Sequence, residues 1–141
     1  MVVSFSSGGV RRDERDLARS AVSPDRSLGR DERLRHRSEF RRVYDDGKSY
    51  PGSFLVLIVL AGGDLERRAG FVAGRRVGNA VLRNRSKRIL REAYRHHKNI
   101  VPDHGYHLVL IARKGCATTS YRNIESELLR VFALAGFKTA S

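Results

Sequence analysis

The chain has 141 residues, with 28 Lys or Arg against 15 Asp or Glu, which gives a formal net charge of +13 at pH 7. This charge favours polyanionic partners, nucleic acid above all, and opposes tight self-association. A membrane-spanning helix is not expected, because the longest apolar run, 54–61, is much shorter than the ~20 residues that such a helix needs.

Residues 1–30 mix Ser, Gly, Arg and Asp without a clear period and lack the order of a secretory signal. We predict a disordered N-terminal extension there and a single folded domain over 31–138. The only cysteine, Cys116, cannot form an internal disulfide, so we expect a buried or incidental thiol in a cytoplasmic protein.

The first predicted elements are a short helix and two strands. Ser38 is expected to cap the helix and Gly47 to end it. Residues 48–50 predict a short strand, and a turn signal follows it. The unbroken apolar run 53–61 is typical of a strand covered on both faces, and the polar, glycine-rich segment 62–64 is expected to end it.

The remaining elements alternate between strands and helices. We predict a third strand over 69–74, a long helix over about 79–97 and a fourth strand over 106–112. A last helix, capped by Thr119 or Ser120, ends near Gly136. The order α-β-β-β-α-β-α predicts the α+β class: a single-domain two-layer α/β sandwich with a mixed four-stranded sheet and a basic crossover helix.

Positive charge is concentrated in this crossover segment. Residues 75–98 contain nine Lys or Arg and one acid, Glu92, and therefore supply +8 of the net +13. At about 100° per residue, one stripe of the helix contains Leu82, Ser86, Ile89, Ala93 and His97, with Leu90 at its border. The opposite side contains Lys87, Arg88, Arg91, Arg95 and Lys98, with Arg83 and Arg85 on the flanks.

A solvated helix face is the simpler interpretation of this pattern, but such a face usually intersperses acids and bases for i,i+4 pairing. Here only Glu92 is available, so the pattern favours contact with nucleic acid. The preceding loop adds Arg75 and Arg76 beside the helix N-terminus, where backbone N–H groups and the helix dipole favour a phosphate. Asn79 is expected to serve as the N-cap there.

The run VGNAVLRNRSKRILRE, Val77 to Glu92, resembles the signature of the bacterial ribonuclease P protein family, whose hallmark is an Arg-Asn-Arg core. Smaller matches occur in the same order at the helix with Phe40 and Tyr44 and after the fourth strand at 112–114. The resemblance covers about 34–137.

Membership of that family implies a protein that binds a larger catalytic RNA, which performs Mg²⁺-dependent removal of the 5′ leader from precursor tRNA. The protein then contributes no catalytic residue and binds no metal tightly, and a monomer pairs 1:1 with the RNA. The expected contacts to the catalytic RNA are Arg75, Arg76, Asn79, Arg83, Asn84, Arg85, Lys87, Arg88, Arg91 and Arg95.

The resemblance also implies a cleft for the single-stranded leader between the first helix and the sheet, with Phe40, Tyr44 and Lys48 as contacts. Stacking on aromatic rings in a basic groove is the usual way to bind single-stranded RNA. Both aromatic residues have an alternative role, which is to pin the helix to the core.

Two other functions stay open from the residues alone. A ribosomal protein or RNA chaperone would carry the same basic helix without assisting a catalytic RNA. A stand-alone nuclease would require a metal-binding carboxylate cluster, which the sequence does not offer.

Overall fold

The structure, a computed structural model, describes residues 28–29 and 32–137. Apart from 28–29, the predicted extension lies outside the described residues. Within them, the chain forms α1 (Arg37–Asp46), β1 (Lys48–Pro51), β2 (Leu55–Glu66), β3 (Arg68–Ala73), α2 (Ala80–His97), β4 (His104–Ala112) and α3 (Tyr121–Leu134).

The strands form one four-stranded sheet in the order β1-β2-β4-β3. β1 pairs with β2 and β2 pairs with β4, both antiparallel, whereas β3 runs parallel to β4. A parallel pair requires a crossover connection, and α2 supplies it. The predicted α+β class, the mixed sheet and the order of elements are therefore confirmed.

Neighbouring residues of β3 show which helices cover which face, because successive side chains of a strand point to opposite faces. The Phe71 ring packs against Tyr94 of α2, with the ring centroids 5.8 Å apart. On the other face, a side chain at Gly70 would overlap the Phe40 ring of α1. The two layers that hold the main core are thus the sheet and the α2–α3 pair, and α1 lies on the opposite face.

The main core consists of fully buried side chains from the sheet and from both helices. Burying one such side chain contributes about 2 kcal/mol. Its largest members are Phe71, Leu55, Leu57, Leu108 and Leu110 from the strands and Tyr94, Leu90, Ile124, Leu128 and Phe132 from the helices.

Polar groups at the helix starts satisfy backbone N–H groups. Asn79 accepts a hydrogen bond from the Leu82 N–H at 3.0 Å, as predicted, and Ser120 caps α3. For α1 the predicted cap, Ser38, is wrong: Glu39 accepts from the backbone N–H groups of Arg35 and His36, each at 3.0 Å. A carboxylate at the third helical position reaches back over the first turn, so the cap is His36 and α1 begins at Arg37, two residues earlier than a Ser38 cap would place it.

Strand β2 is longer than predicted. It continues through Gly62 and Gly63, with a register shift between Ala61 and Glu66. Glycines in a strand commonly mark such a bulge rather than an end. Only one face of β2 is fully covered, since Leu55 and Leu57 are buried whereas Val56 and Ile58 are half-buried.

Among the described helices, none combines the length and the apolar character that crossing a membrane would require.

Candidate nucleic-acid interface

Helix α2 is anchored by one buried side. Its fully buried residues are Ser86, Leu90, Ala93 and Tyr94, and Leu82 and Ile89 are partly buried against the same core. The predicted apolar stripe is therefore rotated slightly toward Tyr94, because the Phe71 ring offers an edge-on aromatic contact there. The opposite side of α2 faces away from the sheet.

Local contacts support the loop before α2. Residues Arg75–Val77 form a turn of 3₁₀-helix. Gly78 has a φ of +139°, where other residues are strained, and a side chain on it would collide with Leu82. The Arg83 guanidinium donates to the Gly78 carbonyl at 3.0 Å. One of the predicted RNA contacts, Arg83, thus also fastens the loop to the helix.

A group of exposed residues lies on this loop and on the first half of α2. We call it the cationic surface: Arg75, Arg76, Asn84, Arg85 and Arg88. In the part of the chain that the structure describes, none of its four arginines forms an ion pair. Four guanidinium groups therefore present their donors to solvent, in a form suited to phosphate oxygens.

Two further cations border this surface. Lys87 and Arg91 are half-buried. Partial burial and the positive charges of Arg83 and Arg91 hold the pKa of Lys87 below its usual value. An approaching phosphate would reverse this effect, since a nearby negative charge favours the protonated amine.

The second half of α2 differs, because its cations are paired with acids. We call residues 92–98 the paired end. Arg95 and His96 lie 2.7 Å and 3.0 Å from the Glu92 carboxylate, and His97 lies 2.8 Å from Glu125. The hydrogen bond from Arg95 is the main reason that the pKa of Glu92 lies below its usual value.

The prediction that Lys98 belongs to the exposed cationic side is wrong. Its side chain is 3% exposed, and its amine lies 2.7 Å from Glu32, a residue that precedes α1. Arg67 approaches the same carboxylate at 3.4 Å. An acid 66 positions away in the chain cannot be found from helical spacing.

On the other side of the sheet, the two aromatic residues of α1 differ in exposure. Phe40 is 1% exposed and packs over Gly70, so its ring has no face available for a base. Tyr44 is 44% exposed, and the burial of the remainder raises its pKa. The structure therefore gives Phe40 the core role, and it leaves Tyr44 accessible.

A row of half-buried aliphatic side chains crosses the sheet face that α1 covers only in part. Val56 pairs with Ile111, and Ile111 pairs with Val72, so the three lie side by side on β2, β4 and β3. We call them the aliphatic row. Sequence reasoning missed it, because only the strand register shows that these residues are neighbours.

Helix geometry directs Tyr44 toward this row. Glu39 lies on one border of the buried stripe of α1 and pairs with Arg68, at the start of β3. At 100° per residue, Tyr44 lies on the opposite border of this buried stripe. That border faces the end of the sheet where Val72 lies. The exposed Arg37 and Arg41 lie on the same side of α1. Sequence reasoning missed both, although their spacing from Tyr44 could have indicated them.

Lys48 is not brought together with Tyr44. It pairs with Val59 across β1 and β2, which places its side chain on the α2–α3 side of the sheet. There its amine lies 5.8 Å from the centroid of the Tyr50 ring. The predicted grouping of Lys48 with the two α1 aromatics is therefore not found.

Groups for other chemistry are sparse. Among the described residues, no three His, Cys, Asp or Glu side chains cluster in a way that could hold a metal ion. The Cys116 thiol is buried, and this burial raises its pKa to about 11. At neutral pH it is a packed, protonated thiol rather than a nucleophile.

These features define a class: a small, basic α+β protein with a crossover helix that presents unpaired arginines to solvent. A family model described as Ribonuclease P matches residues 28–136. The chain belongs to the ribonuclease P protein family. As a member, it is the protein component of a ribonucleoprotein that processes tRNA, and its partner is the ribonuclease P RNA.

Curated relatives of this chain belong to the same family. The chain is 38% identical over 99 residues to the ribonuclease P protein component of Alkaliphilus oremlandii, covering 70% of this chain and 86% of that one. The protein component of Natranaerobius thermophilus is 40% identical over 99 residues, covering 70% and 84%.

Solved structures share the fold. The RNase P protein of Staphylococcus aureus matches with a TM-score of 0.67 and 27% identity, covering 77% of this chain and 98% of that one. The protein from Thermotoga maritima matches with a TM-score of 0.62 and 32% identity, covering 71% and 94%.

Proposed function

We propose that this protein binds the catalytic RNA through its cationic surface, binds the 5′ leader of precursor tRNA beside α1, and so assists leader removal. The observation that carries the proposal is the set of four exposed arginines without an ion-pair partner among the described residues. Cations that remain unpaired, on α2 and on the turn before it, bind a polyanion without first breaking internal salt bridges.

The contribution to docking is electrostatic and positional. Each phosphate that an arginine neutralises releases condensed counterions, so affinity falls as salt rises. Because α2 is fixed by Leu90 and Tyr94 and its loop by the Arg83–Gly78 hydrogen bond, the backbone that carries the arginines needs little reordering on binding. Asn79 acts through the loop, since its side chain caps α2.

For the leader we propose a surface made of the Tyr44 ring, the aliphatic row and the exposed Arg37 and Arg41. An aromatic ring gives a stacking platform for an unpaired base, and aliphatic side chains accept the apolar face of another. β3 ends at Ala73, and Arg75 follows in the next turn. A strand of RNA that leaves the aliphatic row at Val72 thus meets the arginines of the cationic surface.

We assign Mg²⁺ and the chemistry to the RNA, and no catalytic residue to this chain. Held by the RNA, the ion would supply an activated water and charge stabilisation. The protein supplies cations that reduce repulsion between RNA segments, which lowers the Mg²⁺ concentration the complex requires. The net charge of +13 supports a monomer that pairs 1:1 with the RNA in the cytoplasm.

The test is processing of 5′-labelled precursor tRNA at low Mg²⁺ by a bacterial ribonuclease P RNA, with and without the full chain. We expect cleavage at the mature 5′ end only when both are present. RNA binding without assistance would favour a ribosomal or chaperone role, and cleavage by the protein alone would show that chemistry was assigned to the wrong component.

Tyr44→Ala tests the leader surface, with Tyr44→Phe as the matched control that keeps the ring. Loss of one stacked base costs about 1 kcal/mol or more, so the Ala variant should lose about fivefold or more in preference for precursor over mature tRNA. Tyr44→Phe should retain that preference. Equal losses of affinity for both RNAs would contradict the proposed leader surface.

A further inference from the structure

One side chain of α2 does not fit a purely electrostatic surface. Val81 is 71% exposed, the most exposed of the four large hydrophobic residues on the surface of the described chain. It lies in the first turn of α2, immediately before the partly buried Leu82. A valine there brings no charge and, being β-branched, is a weaker helix former than alanine.

The position of Val81 on the helix is the second observation. Arg85 and Arg88 follow it at i+4 and i+7, so the three lie along one face of α2. Both arginines are exposed and have no ion-pair partner among the described residues. Val81 is thus an apolar contact point within the cationic surface rather than at its margin.

We infer that Val81 packs against the sugar and base surface of the catalytic RNA, next to phosphates bound by Arg85 and Arg88. This inference rests on the proposed docking function and adds an apolar contact to it. RNA is not only a row of phosphates: the wide, shallow minor groove of an A-form helix displays ribose edges and base edges. A short branched side chain between two long arginines reaches that surface while the guanidinium groups reach the phosphates on either side.

The two kinds of contact have different salt responses. A phosphate contact releases counterions and contributes to the slope of log affinity against log salt. Burial of two methyl groups releases no counterions, so it changes the affinity by the same factor at every salt concentration. Removal of the Val81 methyls should therefore lower affinity without changing the slope.

The experiment measures binding of the full-length protein to fluorescently labelled bacterial ribonuclease P RNA over a range of salt. Val81→Ala should weaken binding by about three- to tenfold at every salt concentration, with the wild-type slope. Val81→Lys should also weaken binding, although it adds a cation to the surface. Alanine is the better helix former, so circular dichroism should show an unchanged fold.

Leu134→Ala is the matched control, because Leu134 is a second exposed aliphatic residue, 57% exposed, near the end of α3. Near Leu134, the Phe137 ring contacts both Phe132 of α3 and Tyr106 of β4. Leu134 therefore lies by the start of β4, at the end of the sheet away from the N-terminus of α2. Its removal should leave RNA affinity unchanged.

Two results would overturn the inference: wild-type affinity for Val81→Ala, or tighter binding by Val81→Lys. Loss of self-association in Val81→Ala, with RNA affinity intact, would instead assign this residue to a contact between protein copies. Arg88→Ala separates this inference from the proposed function. If Arg88→Ala flattens the salt slope while Val81→Ala has no effect, only the apolar contact is wrong; if neither variant has an effect, docking through α2 is wrong.

Discussion

The first half of α2 and the paired end present their basic residues differently. In the first half, Arg85 and Arg88 are exposed and have no ion-pair partner among the described residues. At the paired end, Arg95 pairs with Glu92, and Lys98, just after α2, is buried against Glu32. The number of basic residues along a helix therefore overstates its capacity to bind a polyanion, because a cation in a salt bridge must first lose its contact with the acid.

The largest expected effect comes from removing the unpaired cations. Arg85→Ala combined with Arg88→Ala should lower affinity for the catalytic RNA about a hundredfold at low salt and reduce the salt slope by up to about two. Arg95→Ala is the matched control from the paired end and should change the slope little. Titrations at several salt concentrations measure both, and equal slopes for the two variants would remove the distinction between the halves.

Lys98 should matter for stability instead of binding. Lys98→Met keeps the aliphatic stem but removes the shortest ion pair of Glu32, so we expect a loss of about 2 kcal/mol in the free energy of unfolding. Urea denaturation measures this loss. The salt slope of RNA binding, measured where the variant is folded, should match that of the wild type; a reduced slope would show that Lys98 reaches the RNA.

Glu92→Gln should make the paired end more similar to the first half. Without the carboxylate, Arg95 and His96 lose their shared partner, and the local charge rises by one. RNA affinity at low salt should then increase by about two- to fivefold, in line with one weak exposed ion pair. Unchanged affinity would mean that the RNA does not extend along α2 as far as Arg95.

The smallest effect concerns pH. Because the hydrogen bond from Arg95 keeps the pKa of Glu92 below its ordinary value of 4.5, Glu92 stays charged in the folded protein down to and below that pH. Its contribution to stability is present above pH 4.5 and is lost as the pH falls through the lowered pKa. The affinity difference between wild type and Glu92→Gln should hold from pH 8 to 5; convergence near pH 6 would contradict the pairing.

Residue spacing within the sequence was enough to predict most features of α2. Its length, the Asn79 cap and the outward direction of Arg88 follow from spacing within a single helix, and the run from Val77 to Glu92 was enough to indicate the family. The same approach failed at the start of α1, where the Glu39 carboxylate outcompetes Ser38, and at the end of β2, where two glycines form a bulge.

By itself, then, the sequence determined the order of elements, the amphipathic crossover helix and the family, because these depend on residues a few positions apart. Only the tertiary structure decided which cations stay exposed and which surface Tyr44 shares. Glu32 neutralises Lys98 across 66 positions, and strand register joins Val56, Ile111 and Val72 while it places Lys48 on the other face. Such pairings depend on how distant segments pack, and local periodicity carries no information about that.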